Sequence, residues 1–251
     1  MANYGVIDLG SNSVRLVIFD VKDGISKKKP ITCKDFRSII NDKVMAGLSA
    51  YVDAGEFTPE GIARAVDVLS GHLKRARYFN CVRTDIFATA VLRNCTNSRE
   101  AISAIEKAIG TPVNLLSARD EAHLSFTGAS CDRTIEKGTV VDLGGGSTEL
   151  IRVEKGRDFD DVSIGQGSLS SYAGYVEFVM PQASEVEAIE HAFLKRVAET
   201  PVDLQKYRAE TLFGVGGSAR AAAKLYAQMT GEPCRPRTLT PAHFDALLDL
   251  L

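Results

Sequence analysis

The 251-residue chain has no apolar run near the ~18 residues that a membrane-spanning helix requires. Its N-terminus, Met1-Ala2-Asn3-Tyr4, lacks a basic stretch followed by a long apolar one, so no signal peptide is expected. The cysteines Cys33, Cys81, Cys95, Cys131 and Cys234 are odd in number, scattered, and never spaced CxxC. That argues against a disulfide framework or a zinc site and suits reduced thiols, hence a cytoplasmic location. The four histidines form no HExxH, so no histidine-based metal site is expected. No GxxxxGK[ST] occurs, which excludes a Walker loop. Net charge is only −2, and 45% hydrophobic content excludes a disordered chain.

Near-neutrality hides an asymmetry. Residues 1–116 carry 16 Lys and Arg against 12 Asp and Glu, whereas residues 117–251 carry 14 against 20. A mildly basic half beside an acidic half suits a small anion, or is plain unevenness of the surface. It does not suit a protein that wraps nucleic acid, which would need a basic domain. With no membrane segment either, neither nucleic acid nor membrane is expected as a partner.

The pattern begins with two apolar runs, Tyr4–Leu9 and Val14–Val21, joined by Gly10-Ser-Asn-Ser13; this predicts a hairpin. Lys22–Pro30, with Lys27, Lys28 and Lys29, reads as a solvated loop. Thr58-Pro59 is a helix start, and Ile62, Val66, Leu69 and Leu73 continue it at helical spacing to about Tyr78. Then come a strand over 82–88, a helix over 97–109 ended by Gly110, a strand over 113–116 and a helix over 119–127 ending near Gly128. The second half predicts strands over 139–143, 148–153 and 159–164, and helices near 168–178 and 184–199. A strand over 211–215, a helix over 218–229 and another from Pro241 to Leu250 complete it.

The two halves begin alike. Val6-Ile-Asp-Leu-Gly-Ser-Asn-Ser13 aligns with Val140-Val-Asp-Leu-Gly-Gly-Gly-Ser147, five of eight positions being identical, 134 residues apart. This predicts a duplicated domain with two similar loops. Small residues let a backbone turn sharply and approach a ligand. The N–H groups of such turns form anion-binding concavities, and Ser11, Ser13 and Ser147 add hydroxyls. The Asp beside each turn cannot bind phosphate itself but can hold Mg²⁺, which neutralises phosphate charge. Gly214-Val-Gly-Gly-Ser-Ala219 fits GxGxxA between a strand and a helix, yet no acid about 20 residues on ends a second parallel strand. A dinucleotide site is therefore not expected. A further phosphate contact at Gly216 and Gly217, or simple turn chemistry, is.

Asp8-Leu-Gly-Ser-Asn-Ser13, Ala88-Thr-Ala-Val-Leu-Arg93, Ser117-Ala-Arg-Asp-Glu-Ala122, Asp142-Leu-Gly-Gly-Gly-Ser-Thr-Glu149 and Gly214-Val-Gly-Gly217 stand in an order and spacing that resemble the exopolyphosphatase/guanosine pentaphosphate phosphohydrolase family, Ppx/GppA. The resemblance covers nearly the whole chain. It implies the α/β actin-like ATPase fold, two ribonuclease-H-like domains around a central cleft, here residues 1–120 and 121–251. It also implies Mg²⁺-dependent release of terminal phosphate from polyphosphate or from a phosphorylated guanosine nucleotide. By it, Glu121 matches the catalytic glutamate and Arg93 the phosphate-contacting arginine. Asp142, Glu149 and Asp8 are expected to coordinate Mg²⁺, with Glu149 also helping to place water. Gly10, Ser11, Asn12, Ser13, Gly144, Gly145, Gly146, Ser147, Gly216 and Gly217 are expected around phosphates.

Two departures stand out. Ala118 and Asp120 replace the family's usual Gly and first Glu, which puts a left-handed turn at Ala118 in question. The chain also stops inside its last helix, so the second domain is expected to be incomplete and long-chain processivity doubtful. A missing segment would leave an apolar patch able to promote a homodimer. The rival readings are an ATPase or kinase of the same fold, and a non-catalytic phosphate or alarmone sensor.

Overall fold

A computed structural model describes residues 1–22, 32–132, 134–231 and 239–249. The lysine run and Cys234 lie outside the described residues. The chain divides into two compact units, Met1–Thr134 and Ile135–Leu251.

The first unit opens with β1 (Ala2–Leu9), β2 (Ser13–Val21) and β3 (Phe36–Met45), followed by a 3₁₀ turn, Leu48–Tyr51. A small ladder, β4 (Val52–Asp53) with β5 (Glu56–Phe57), leads to helix α1 (Pro59–Tyr78). Then come β6 (Cys81–Ala88), the single turn α2 (Ala90–Arg93), α3 (Ser98–Ile109), β7 (Asn114–Leu115) and α4 (Ala118–Asp132). The sheet order is β3-β2-β1-β6-β7, with β1 to β3 antiparallel and β6 and β7 parallel to β1.

Strict alternation along β2 buries Val14, Leu16 and Ile18 on one face. Against them pack Leu69 and Leu73 of α1 and Ile105 of α3, with Ile7 and Leu9 of β1 and Ile86 of β6 in the same core. Each such side chain contributes roughly 1.5–3 kcal/mol on burial. Thr58 caps α1 as expected, its hydroxyl accepting from the Gly61 N–H at 3.2 Å, and Gly110 ends α3 in the left-handed conformation. Strand β3 escapes sequence reading: Arg37, Ser38, Asn41, Asp42 and Lys43 leave no apolar alternation, and pairing with β2 alone makes it a strand. Helix α4 runs past Gly128 to Asp132. A mid-helix glycine costs only about 1 kcal/mol. The expected division after residue 120 falls inside this helix, which belongs to the first unit.

The second unit repeats the scheme with β8 (Lys137–Leu143), β9 (Thr148–Glu154) and β10 (Arg157–Ile164), then α5 (Ser168–Tyr175), α6 (Ala183–Glu199), β11 (Leu212–Val215), α7 (Gly216–Thr230) and α8 (Pro241–Leu248). Its sheet order, β10-β9-β8-β11, copies the first four strands of the other sheet, again with the last ladder parallel and the other two antiparallel. Helices α5 and α6 contain no buried residue. Helix α5 stops at Tyr175 rather than 178, and α7 starts at Gly216, so both candidate glycines lie in its first turn. No helix among the described residues is long and apolar enough to cross a membrane.

Candidate functional site

In the first unit, Arg93 ends α2 and Glu121 lies in the first turn of α4. Arg93 Nη1 is 2.6 Å from Glu121 Oε2 and also donates to the Leu116 carbonyl at 3.2 Å. Both side chains are mostly buried, at 17% and 21% exposure, so this ion pair is shielded and its geometry fixed. The start of α4 explains how Glu121 is aimed. Ser117 Oγ accepts from the Asp120 N–H at 3.1 Å and donates to Asp120 Oδ2 at 2.6 Å. The Ser117 hydroxyl thus caps the helix, and Asp120 holds that hydroxyl in place. Ala118 is an ordinary first helical residue and has no positive φ, so the turn in question is absent.

The two glycine turns are built alike. Gly10 N–H donates to Ser13 O at 3.2 Å and Gly144 N–H to Ser147 O at 3.0 Å, so the same two repeat positions close both turns. A Cβ at Gly10 or Gly144 would lie 3.2 or 3.1 Å from that same carbonyl. Ser11, Asn12 and Ser13 are half-buried beside Gly10, as are Gly145 and Gly146 in the second turn, whereas Ser147 is buried.

The charges along the ladders differ. Asp8 of β1 pairs directly with Arg15 of β2, which pairs with Lys43 of β3. At the equivalent positions Asp142 of β8 pairs with Glu149 of β9, which pairs with Ser163 of β10. Directly paired residues share a face, so two carboxylates stand side by side in the second unit. Glu149 is 2% exposed, and Ser163 Oγ donates to its Oε1 at 2.9 Å. Like charges opposite one another destabilise a ladder, so this pair suits a bound cation. Gly216, at φ +87°, makes room for Asp142: a Cβ there would stand 3.0 Å from its Oδ1. Gly217 faces open space. Among the described residues no three His, Cys, Asp or Glu side chains converge as a metal cage. Mg²⁺ needs none, because it keeps waters and commonly takes one or two carboxylates plus substrate phosphates.

Sequence reasoning missed Ser163 and Gly167. A serine in a strand carries no marker of its own. Gly165-Gln-Gly167 directly after a strand was the available sign of close backbone approach.

Two units that share a 3-2-1-4 strand order, each with an Asp-bearing first strand and a glycine turn, define the duplicated ribonuclease-H-like, actin-like ATPase fold. The chain belongs to the Ppx/GppA phosphatase family, whose model matches residues 7–251. It is 30% identical over 160 residues to exopolyphosphatase 2 of Mycobacterium tuberculosis, covering 60% of this chain and 48% of that protein. The chain thus spans about half the length of that curated relative. In fold it resembles an exopolyphosphatase from Cytophaga hutchinsonii, with TM-score 0.81, 21% identity and coverage of 99% of this chain and 79% of the other. It also resembles the PPX-GPPA enzyme of Aquifex aeolicus, with TM-score 0.71, 23% identity and coverage of 99% and 80%.

Proposed function

We propose that this chain is a Mg²⁺-dependent phosphohydrolase that removes terminal phosphate from inorganic polyphosphate. The observation that carries the reading is the shielded Arg93–Glu121 pair, set by a capped helix in the unit that also bears the first glycine turn. In the first unit, Glu121 accepts a proton from the attacking water or orients it. Arg93 holds that carboxylate and offers its remaining donors to the phosphate oxygens, where charge develops. Backbone N–H groups of the two glycine turns, other than the Gly10 and Gly144 N–H groups that close them, bind phosphate oxygens. Asp142 and Glu149 are the residues that would hold Mg²⁺. That ion neutralises phosphate charge and so supplies part of what phosphoryl transfer demands. Asp8 stands opposite Arg15 in its ladder rather than opposite a second carboxylate, and we assign it at most a water-mediated part.

The name of the mycobacterial relative supports polyphosphate over guanosine pentaphosphate. Cys33, Cys81, Cys95 and Cys131 are not in disulfides, which suits a reducing, cytoplasmic setting. The test is phosphate release with Mg²⁺ from polyphosphate and from guanosine pentaphosphate, wild type against Glu121→Ala. A loss of about 10²–10⁴-fold on polyphosphate is expected. Equal release by both proteins removes Glu121 from catalysis. Tight binding of polyphosphate without turnover makes the chain a sensor instead.

A further inference from the structure

We propose that Gly167 and the first turn of α5 are a positioning element that sets the second glycine turn for phosphate, making Gly145 N–H and Gly146 N–H its two outward donors. The inference rests on the phosphohydrolase reading only for the identity of the ligand.

The first amides of a helix need acceptors from outside it. In α5 the turn supplies them: Ser168 N–H donates to Gly144 O at 2.9 Å, and Leu169 and Ser170 N–H both donate to Gly145 O at 2.9 Å. Ser168 Oγ adds a bond to Gly144 O at 3.1 Å. Every peptide here is trans, so each C=O points opposite to the N–H of its own plane. With the Gly144 and Gly145 carbonyls drawn into α5, the N–H groups of Gly145 and Gly146 must face away from it. Gly144 N–H is already committed to closing the turn. The helix thus consumes the carbonyls and leaves a pair of adjacent donors on the other side.

Gly167 is what permits this approach. A Cβ there would lie 2.5 Å from Gly144 O, 2.7 Å from Gly145 C and 2.7 Å from Ser147 N, all backbone atoms. Its φ of −133° is open to any residue, so the requirement is for space alone. Below the turn, Thr148 Oγ1 donates to Gln166 O at 2.7 Å, which ties the same connection to the start of β9. The first unit uses a related clamp from the equivalent place, the segment leaving its third strand. Ala46 and Gly47 N–H donate to Asn12 O at 2.9 and 2.8 Å, and Ser49 N–H to Ser11 O at 2.8 Å.

The discriminating variant is Ser168→Pro. Proline suits the first position of a helix, and extended Gly167 is a compatible predecessor, so α5 should persist. The substitution deletes the N–H that holds Gly144 O and puts a methylene in its place. Ser168→Ala removes only the hydroxyl bond. Tripolyphosphate binding is measured by calorimetry in the full chain carrying Glu121→Gln, and the Gly145 and Gly146 amide resonances are followed by NMR without ligand. We expect Ser168→Pro to weaken binding about tenfold or more and to move the Gly145 and Gly146 resonances, with Ser168→Ala losing less than about threefold. Unchanged resonances in Ser168→Pro overturn the positioning role whatever the ligand. Moved resonances with unchanged tripolyphosphate affinity overturn the donor assignment. If the Glu121→Gln parent binds no tripolyphosphate, the polyphosphate reading fails while the resonances still decide the clamp.

Discussion

The two units share a ladder and a glycine turn, yet the residues beside the turns have opposite character. Across the first ladder stand Asp8, Arg15 and Lys43; across the second stand Asp142, Glu149 and Ser163. The cores differ as well. Helices α1 and α3 bury Leu69, Leu73 and Ile105, whereas α5 and α6 bury nothing. Duplication has preserved what the backbone needs and changed what the side chains do. The first unit sets basic residues opposite its ladder Asp and carries the Arg93–Glu121 pair, while the second sets two carboxylates side by side, which suits a cation.

The largest effect should separate the cores. Leu69→Ala is expected to cost about 2–5 kcal/mol, and Leu194→Ala, 54% exposed on α6, no more than about 0.5 kcal/mol. Urea unfolding of both variants checks this, and equal costs would erase the contrast. Next come the ladders. Glu149→Gln should lower Mg²⁺-dependent phosphate release on the order of 10²-fold, and Arg15→Gln less than about threefold, by initial rates at several Mg²⁺ concentrations. A reversed ranking would move the cation site to the first unit. Ser117→Ala removes the α4 cap and should cost about 1 kcal/mol, with a fall in kcat as Glu121 loses its fixed approach.

The smallest effect is a pH slope confined to the first unit. His72 is fully buried, 3.2 Å from Val14 O through Nε2, with Nδ1 3.5 Å from Asp42 Oδ2, itself paired with Arg75 at 3.2 Å. Burial, outweighing the Val14 bond and the Asp42 charge, holds its pKa below the ordinary histidine value. The unfolded chain therefore takes up the proton first. His72 contributes stability above its unfolded pKa, near 6.5, and loses it as pH falls through the lower folded value. The slope cannot exceed about 1.4 kcal/mol per pH unit for one proton. Unfolding titrations should show that His72→Gln flattens the acid limb.

Periodicity made most elements legible, because a helix or strand that buries one face must repeat apolar residues at its own spacing. The α1 boundaries follow from Thr58, Pro59 and that spacing. Strand β3 was illegible because its reason to be a strand lies in β2. The paired Asp-Gly turns were legible because a tight turn demands small residues locally. The Ser117 cap is written locally as Ser117-x-x-Asp at the start of α4.

By itself the sequence determined the repeat, the two turns and the inventory of acids and arginines, since each is a matter of residue type at short range. Only the tertiary structure decided that Arg93 meets Glu121, that Glu149 meets Asp142 and Ser163, and that Gly167 must be glycine. These are contacts between segments distant in sequence or facing across a ladder. Strand register and backbone clearance fix them; register is written in no local pattern, and clearance only as the hint of Gly165-Gln-Gly167 after a strand.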